Sequence, residues 1–224
     1  MSNEDSLAKP LSEPGGYQSF SELLYGEVED RDFSRIVVAR SSPVAIVALH
    51  GGGIEPGTSE IARAIAGSEY SLYCFESLKT SGNELLHIPS HDFDDPLCLK
   101  LIKTAQVVIS VHGCSGEDRQ AGVFIGGRHS LLRERLSRDL QQASFPVAPG
   151  PGRYPGQHRD NVCNLGQAGK GIQLEISKGL RGQMFAGMRR QERRITRPAF
   201  DRFVQTVRVV LHTAEKEGYW ESPG

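Results

Sequence analysis

Apolar residues along this chain come in short runs, and each run ends on a turn. Residues 44–49 are all apolar and stop at His50-Gly51-Gly52-Gly53; residues 107–111, apolar except for Ser110, stop at His112-Gly113. A third run, Gly171-Ile172-Gln173-Leu174-Glu175-Ile176, carries a glutamate among its apolar residues. Runs of this length bounded by turn residues are the pattern of buried, mostly parallel strands. The same reading gives strands at 35–40, 71–75, 85–88, 123–125 and 145–148. Helices fall between them. One covers 19–25, one is capped by Thr58 and ends at Gly67, one opens on Asp95-Pro96 and runs to Lys103, and one covers 130–142. A last helix over 197–216 places Phe200, Phe203, Val204, Val207, Val210, Leu211 and Ala214 on one face. Strands alternating with helices predict an α/β fold with a mixed, largely parallel central sheet flanked by helices.

Composition narrows this further. The 224 residues suffice for one domain, expected over 17–224, after a polar, Pro- and Gly-containing segment, 1–16, that reads as a flexible tail. A net charge of −1 gives no global attraction to nucleic acid or membrane. With no long apolar stretch and no basic-then-apolar start, the expectation is a soluble, cytoplasmic protein. Cys74, Cys98, Cys114 and Cys163 form no C-x-x-C pair, so they read as reduced, mostly buried thiols rather than a disulfide framework or a zinc ribbon.

The carboxyl ends of parallel strands border the functional crevice of an open sheet, so His50 and His112 stand where chemistry is expected. A catalytic zinc site takes three His or Asp/Glu ligands and keeps one position open. His50, Glu55 and His112 fit, because Gly51, Gly52, Gly53 and Pro56 make a loop that can fold the carboxylate back. A general base that is not a ligand is also needed, and Glu175 is the candidate, since a carboxylate inside an apolar strand needs a cationic neighbour. His87, His91, His129, His158 and His212 read as ordinary residues, and the acids of 92–95 as capping and loop. Gly51–Gly53 after His50 also fit a lipase-type oxyanion motif, but the chain has no G-x-S-x-G elbow. Cys114 beside His112 reads as a buried thiol before a nucleophile.

The series His50-Gly-Gly-Gly-Ile-Glu55-Pro-Gly-Thr58, Leu86-His87-Ile88, Phe93-Asp-Asp-Pro96, His112-Gly-Cys114, Gly126-Gly127, Asn161-Val-Cys-Asn164 and Gln173-Leu-Glu175-Ile-Ser177-Lys-Gly-Leu-Arg181 resembles the poly-γ-glutamate hydrolase family. It spans roughly residues 17–185 in the family's order. The resemblance implies a phage-associated, zinc-carboxypeptidase-like α/β fold, one zinc per chain on His50, Glu55 and His112, and Glu175 as base. The implied partner is an acidic polymer or a small acidic amide. Arg181 is then a candidate for carboxylate or oxyanion recognition, and Asn161 and Asn164 for shaping the substrate site. The chain departs from the family pattern at Gly126-Gly127-Arg128-His129 and at Leu165, where the pattern has Leu-Asp and Arg; Arg128 is a candidate to replace the missing cation. Two alternatives remain: a zinc deacylase of small N-acyl-amino acids, and a non-catalytic polyanion or nucleic-acid binder. The second draws on the arginines at 181, 189, 190, 193, 194, 197 and 202, which read first as a solvated face and could also attract an acidic polymer.

Overall fold

The structure, a computed structural model, describes residues 16–114, 121–148 and 155–220; apart from Gly16, the expected tail lies outside them. Strands β1 (Phe33–Val38), β2 (Val44–Gly52), β3 (Ser71–Ser77), β4 (Val107–Cys114), β5 (Val123–Gly126) and β6 (Ile172–Ser177) form one sheet in the order β1-β3-β2-β4-β6-β5. The central pairs β3·β2, β2·β4 and β4·β6 are parallel, and both edge strands run antiparallel. The expected mixed, largely parallel α/β sheet is therefore the observed one.

Both faces are covered, which is why the central strands read as continuous apolar runs. On one face Val44, Ile46, Val107, Ile109, Leu174 and Ile176 meet helices α2 (Thr58–Ala66), α4 (Ser130–Gln142) and α6 (Pro198–Lys216). On the other, Ala45, Val47, Leu49 and Val108 meet α1 (Phe20–Gly26) and α3 (Pro96–Ile102). The expected α6 stripe from Phe200 to Ala214 is buried throughout. Each large apolar side chain in it contributes about 1.5–3 kcal/mol. Asp95 caps α3 by accepting the Leu97 N–H at 2.9 Å, as the Asp-Pro pair predicts.

Three local expectations are corrected, and one further helix was not expected. Residues 85–88 are not a strand: Asn83–Leu86 is a 3-10 turn, closed by the Leu85 N–H on the Gly82 carbonyl and the His87 N–H on the Glu84 carbonyl. Residues 145–148 make one isolated bridge, Val123 to Val147, rather than a strand. The N-cap of α2 is Gly57 at φ +103, not Thr58, whose hydroxyl donates instead to the Glu55 carbonyl at 2.9 Å. A short helix, α5 (Lys178–Met184), follows β6 directly, its start capped by Ser177 Oγ accepting the Leu180 N–H. Gly179 and Gly182 hide it from a propensity reading.

The chain leaves β2 for β3 on one side, then crosses back to β4 on the other, so the order reverses between the carboxyl ends of β2 and β4. Crevices at such reversals are where open α/β sheets hold ligands. Among the described residues no helix is long and apolar enough to cross a membrane.

Candidate metal centre

Strand alternation selects the residues of this crevice. On β4, Val107, Ile109 and Val111 enter one core, which turns Ser110 and His112 to the other face; on β6, Ile172, Leu174 and Ile176 leave Gln173 and Glu175 there. Parallel register sets His112 beside Glu175. On β2 the register shifts between Ala48 and Gly51, and His50 sits in that irregularity. The loop after it closes tightly: the Glu55 N–H donates to the His50 carbonyl at 2.8 Å, returning the carboxylate to the ring. Gly51 and Gly52 allow the approach, since a Cβ on Gly52, at φ +67, would lie 2.2 Å from the Ser77 carbonyl oxygen.

One nitrogen of each ring and the carboxylate converge. His50 Nδ1 lies 3.1 Å from Glu55 Oε1 and 3.1 Å from His112 Nδ1, and His112 Nδ1 lies 3.8 Å from Glu55 Oε2. Ligand atoms of all three residues fit within 4.8 Å of one another. The outward nitrogens are engaged as well. His50 Nε2 donates to the Ile88 carbonyl at 2.8 Å, and His112 Nε2 meets Ser110 Oγ at 2.6 Å. A carbonyl only accepts, so His50 Nε2 carries a proton; in the neutral ring Nδ1 then turns a lone pair toward Glu55, itself an acceptor, and only a proton or a metal ion on Nδ1 joins the two. Acceptors facing one another at such distances need a cation between them, and a His-Glu-His donor set with both outer nitrogens fixed suits a zinc-like ion.

The electrostatics agree. Burial works to raise the Glu55 carboxyl, but the His50 and His112 charges, with hydrogen bonds from His50 and the Gly113 N–H, bring it down to about 2. Burial pushes His112 down to about 4 against the pull of Glu55, so its imidazole is neutral near pH 7, the form that ligates metals. Glu175 behaves oppositely. Burial, then the Glu55 charge, raise it well above the usual carboxylate range, while Arg181 and the Gln173 amide oppose them. Burial likewise pushes the Cys114 thiol up to about 11, which leaves it a poor nucleophile.

Of the other expected residues, Asn161 and Arg181 join this centre. Asn161 Nδ2 donates to Gln173 Oε1 at 2.8 Å, and Gln173 Nε2 donates to Glu175 Oε1 at 2.9 Å, a chain ending on the proposed base. Arg181 donates to the carbonyls of Ile176 (3.0 Å), Cys114 (3.2 Å) and Pro56, each next in sequence to Glu175 or Glu55 or within two residues of His112. Asn164 and Arg128 stand apart from the metal-ligand cluster. The Asn164 amide is spent on the Gly156 and His158 carbonyls and on the Arg128 and Gly171 N–H groups. Arg128 is exposed at the far end of antiparallel β5, toward the start of β6, with its guanidinium near the Gly169 carbonyl. Leu165 packs against the second core.

His87, read as ordinary from sequence, belongs to the site. Its ring stacks on His50 at 3.9 Å between centroids, with Nε2 3.9 Å from Glu55 Oε1. The His50 charge, then burial, bring it down to about 3. Gln173 was also missed, although its place two residues before Glu175 puts it on the same strand face. Arg193, expected on a solvated face, is 5% exposed and bonds Glu60, Met188 and Gly52.

Fold and site thus give a mixed α/β protein with a His-Glu-His cluster that could hold a metal ion, beside a buried carboxylate. The chain matches the poly-gamma-glutamate hydrolase family over residues 17–206 and belongs to it. It is 38% identical to YndL of Bacillus subtilis strain 168 over 197 residues, covering 87% of this chain and 76% of YndL. It is 36% identical to YmaC of the same strain over 213 residues, 93% of this chain and 88% of YmaC. Its fold is similar to a bacteriophage poly-gamma-glutamate hydrolase (TM-score 0.86, 26% identity, 91% of this chain and 99% of that one). It is also similar to a zinc-free form of YndL (TM-score 0.83, 36% identity, 88% and 98%).

Proposed function

We propose that this protein is a zinc-dependent amidohydrolase that cleaves γ-glutamyl amide bonds of poly-γ-glutamate. The observation that carries the reading is the convergence of His50 Nδ1, Glu55 and His112 Nδ1, with both outer nitrogens held by Ile88 and Ser110. Family membership supplies the hydrolase class.

His50, Glu55 and His112 would hold one zinc ion, which supplies Lewis acidity toward an amide carbonyl and lowers the pKa of water toward about 7. Glu175 takes a proton from the attacking water and gives it to the leaving nitrogen. Gln173 fixes Oε1, so the proton moves through Oε2. Arg181 holds the three backbone segments that carry these groups and keeps a buried positive charge beside Glu175. His87, half-buried over His50, is placed to donate a hydrogen bond to an incoming substrate.

The test is to incubate zinc-loaded protein with γ-linked and α-linked polyglutamate and follow polymer length and new amino groups. Shortening of the γ-polymer alone, abolished by a chelator and restored by zinc, is expected. Cleavage only of small N-acyl-amino acids would favour the deacylase reading, and no cleavage of any amide would overturn the proposal.

A further inference from the structure

The Arg-rich segment that follows α5 is only partly a solvated face. Arg190, Arg193 and Arg194 join Gly52, Glu60, Arg63 and Glu76 around a cavity of about 230 Å³. Gly52 is two residues from His50, and its carbonyl accepts from Arg193 Nη2 at 3.2 Å, so the cavity shares a wall with the His50–Glu55 loop. Its volume is below the ~300–1,000 Å³ of pockets that enclose drug-sized molecules. It suits one residue of a longer chain.

Its charges do not cancel. Four arginines face two glutamates, and both glutamates are committed, Glu76 to Arg63 and Glu60 Oε1 to Arg193 at 2.7 Å. Among the described residues Arg190 and Arg194 have no acidic partner. The cavity thus carries an excess of positive charge and asks for an anion. Each γ-glutamyl residue of the polymer carries one, its free carboxylate.

We infer that this cavity is an extension subsite for the acidic chain, in which Arg190 and Arg194 bind the free carboxylate of a γ-glutamyl residue away from the cleaved bond. The inference rests on the polyglutamate reading above. It gives the basic segment a use in holding polymer, beside the chemistry.

The test compares wild type with the Arg190→Gln/Arg194→Gln variant, binding end-labelled poly-γ-glutamate of graded length by fluorescence anisotropy at low and high salt. Both arginines are exposed, so the variant is expected to fold with an unchanged thermal midpoint. Loss of two charge contacts should weaken binding of long polymer about five-fold or more, with a shallower salt dependence and a smaller loss for γ-diglutamate. Unchanged affinity in the variant, with wild type still cleaving the polymer, overturns the subsite and leaves the activity standing. An equal loss for single-stranded DNA overturns it in favour of an unspecific polyanion patch. Wild type that neither binds nor cleaves the γ-polymer overturns both.

Discussion

The guanidinium of Arg181 lies directly against Gly113, so close that a Cβ on that glycine would come within 2.6 Å of Arg181 Cζ. Gly113 follows His112 in β4, and its N–H donates to Glu55 Oε2 at 2.8 Å. The absence of a side chain there lets a buried cation press against the backbone between two expected metal ligands. From that place Arg181 reaches the Ile176, Pro56 and Cys114 carbonyls, tying together the segments that carry Glu175, Glu55 and His112.

Arg181→Met keeps much of the volume and removes every donor, leaving three carbonyls without this partner. The expected loss is about 3 kcal/mol or more in urea unfolding, because stranded buried acceptors cost about 1–3 kcal/mol each. Gly113→Ala should lower both stability and zinc affinity. A Gly113→Ala variant with wild-type zinc affinity would separate this packing from the metal centre.

Glu175→Gln should keep zinc and lose turnover by about 100-fold or more, the scale of general acid–base catalysis. Gln173→Leu should lower kcat less and move the acid limb of the rate profile. The Gln173 amide favours ionised Glu175, so its removal raises the Glu175 pKa further and shifts the limb to higher pH. A rate–pH profile superimposing on that of wild type would remove Gln173 from this role.

Ser110→Ala tests the outer support of His112, whose Nε2 meets the serine hydroxyl at 2.6 Å. Such partners orient the ring, and losing one typically weakens metal binding about 10–100-fold. Competition with a zinc chelator reads this directly, and an unchanged affinity would show that Ser90 Oγ, at 3.4 Å, suffices.

Away from the site, Asp95 is fully buried, caps α3, pairs with Arg35 at 3.1 Å and accepts from the Tyr73 hydroxyl. Arg35 keeps its two bonds to Glu29, but the buried Tyr73 hydroxyl and the Leu97 N–H lose their acceptor, so Asp95→Ala should cost about 2–4 kcal/mol. A loss under 1 kcal/mol in urea unfolding, the size of an exposed ion pair, would contradict that account.

The legible parts of the centre were those fixed by strand period. His50 and His112 end apolar runs, Glu175 interrupts one, and the glycines after His50 announce a loop able to return Glu55. What stayed hidden depends on distant segments meeting. His87 looked like part of a strand because Leu86 and Ile88 flank it, and its stacking on His50 follows from a 3-10 turn that hydrophobic alternation does not report. Arg181 was visible as a basic residue after β6, but the three carbonyls it holds come from separate loops. Arg193 looked solvated beside its neighbours, and only its pairing with Glu60 and Gly52 buries it. Asn164 looked like a site residue for the converse reason: its amide is fully used in closing its own loop.

The central claim is that His50, Glu55 and His112 form a zinc site, and metal content per chain tests it most directly. Elemental mass spectrometry of wild type and His112→Ala, both exchanged into metal-free buffer after zinc loading, should give about one zinc per chain in the first and almost none in the second. Equal zinc in the two proteins, or none in wild type, would contradict the account.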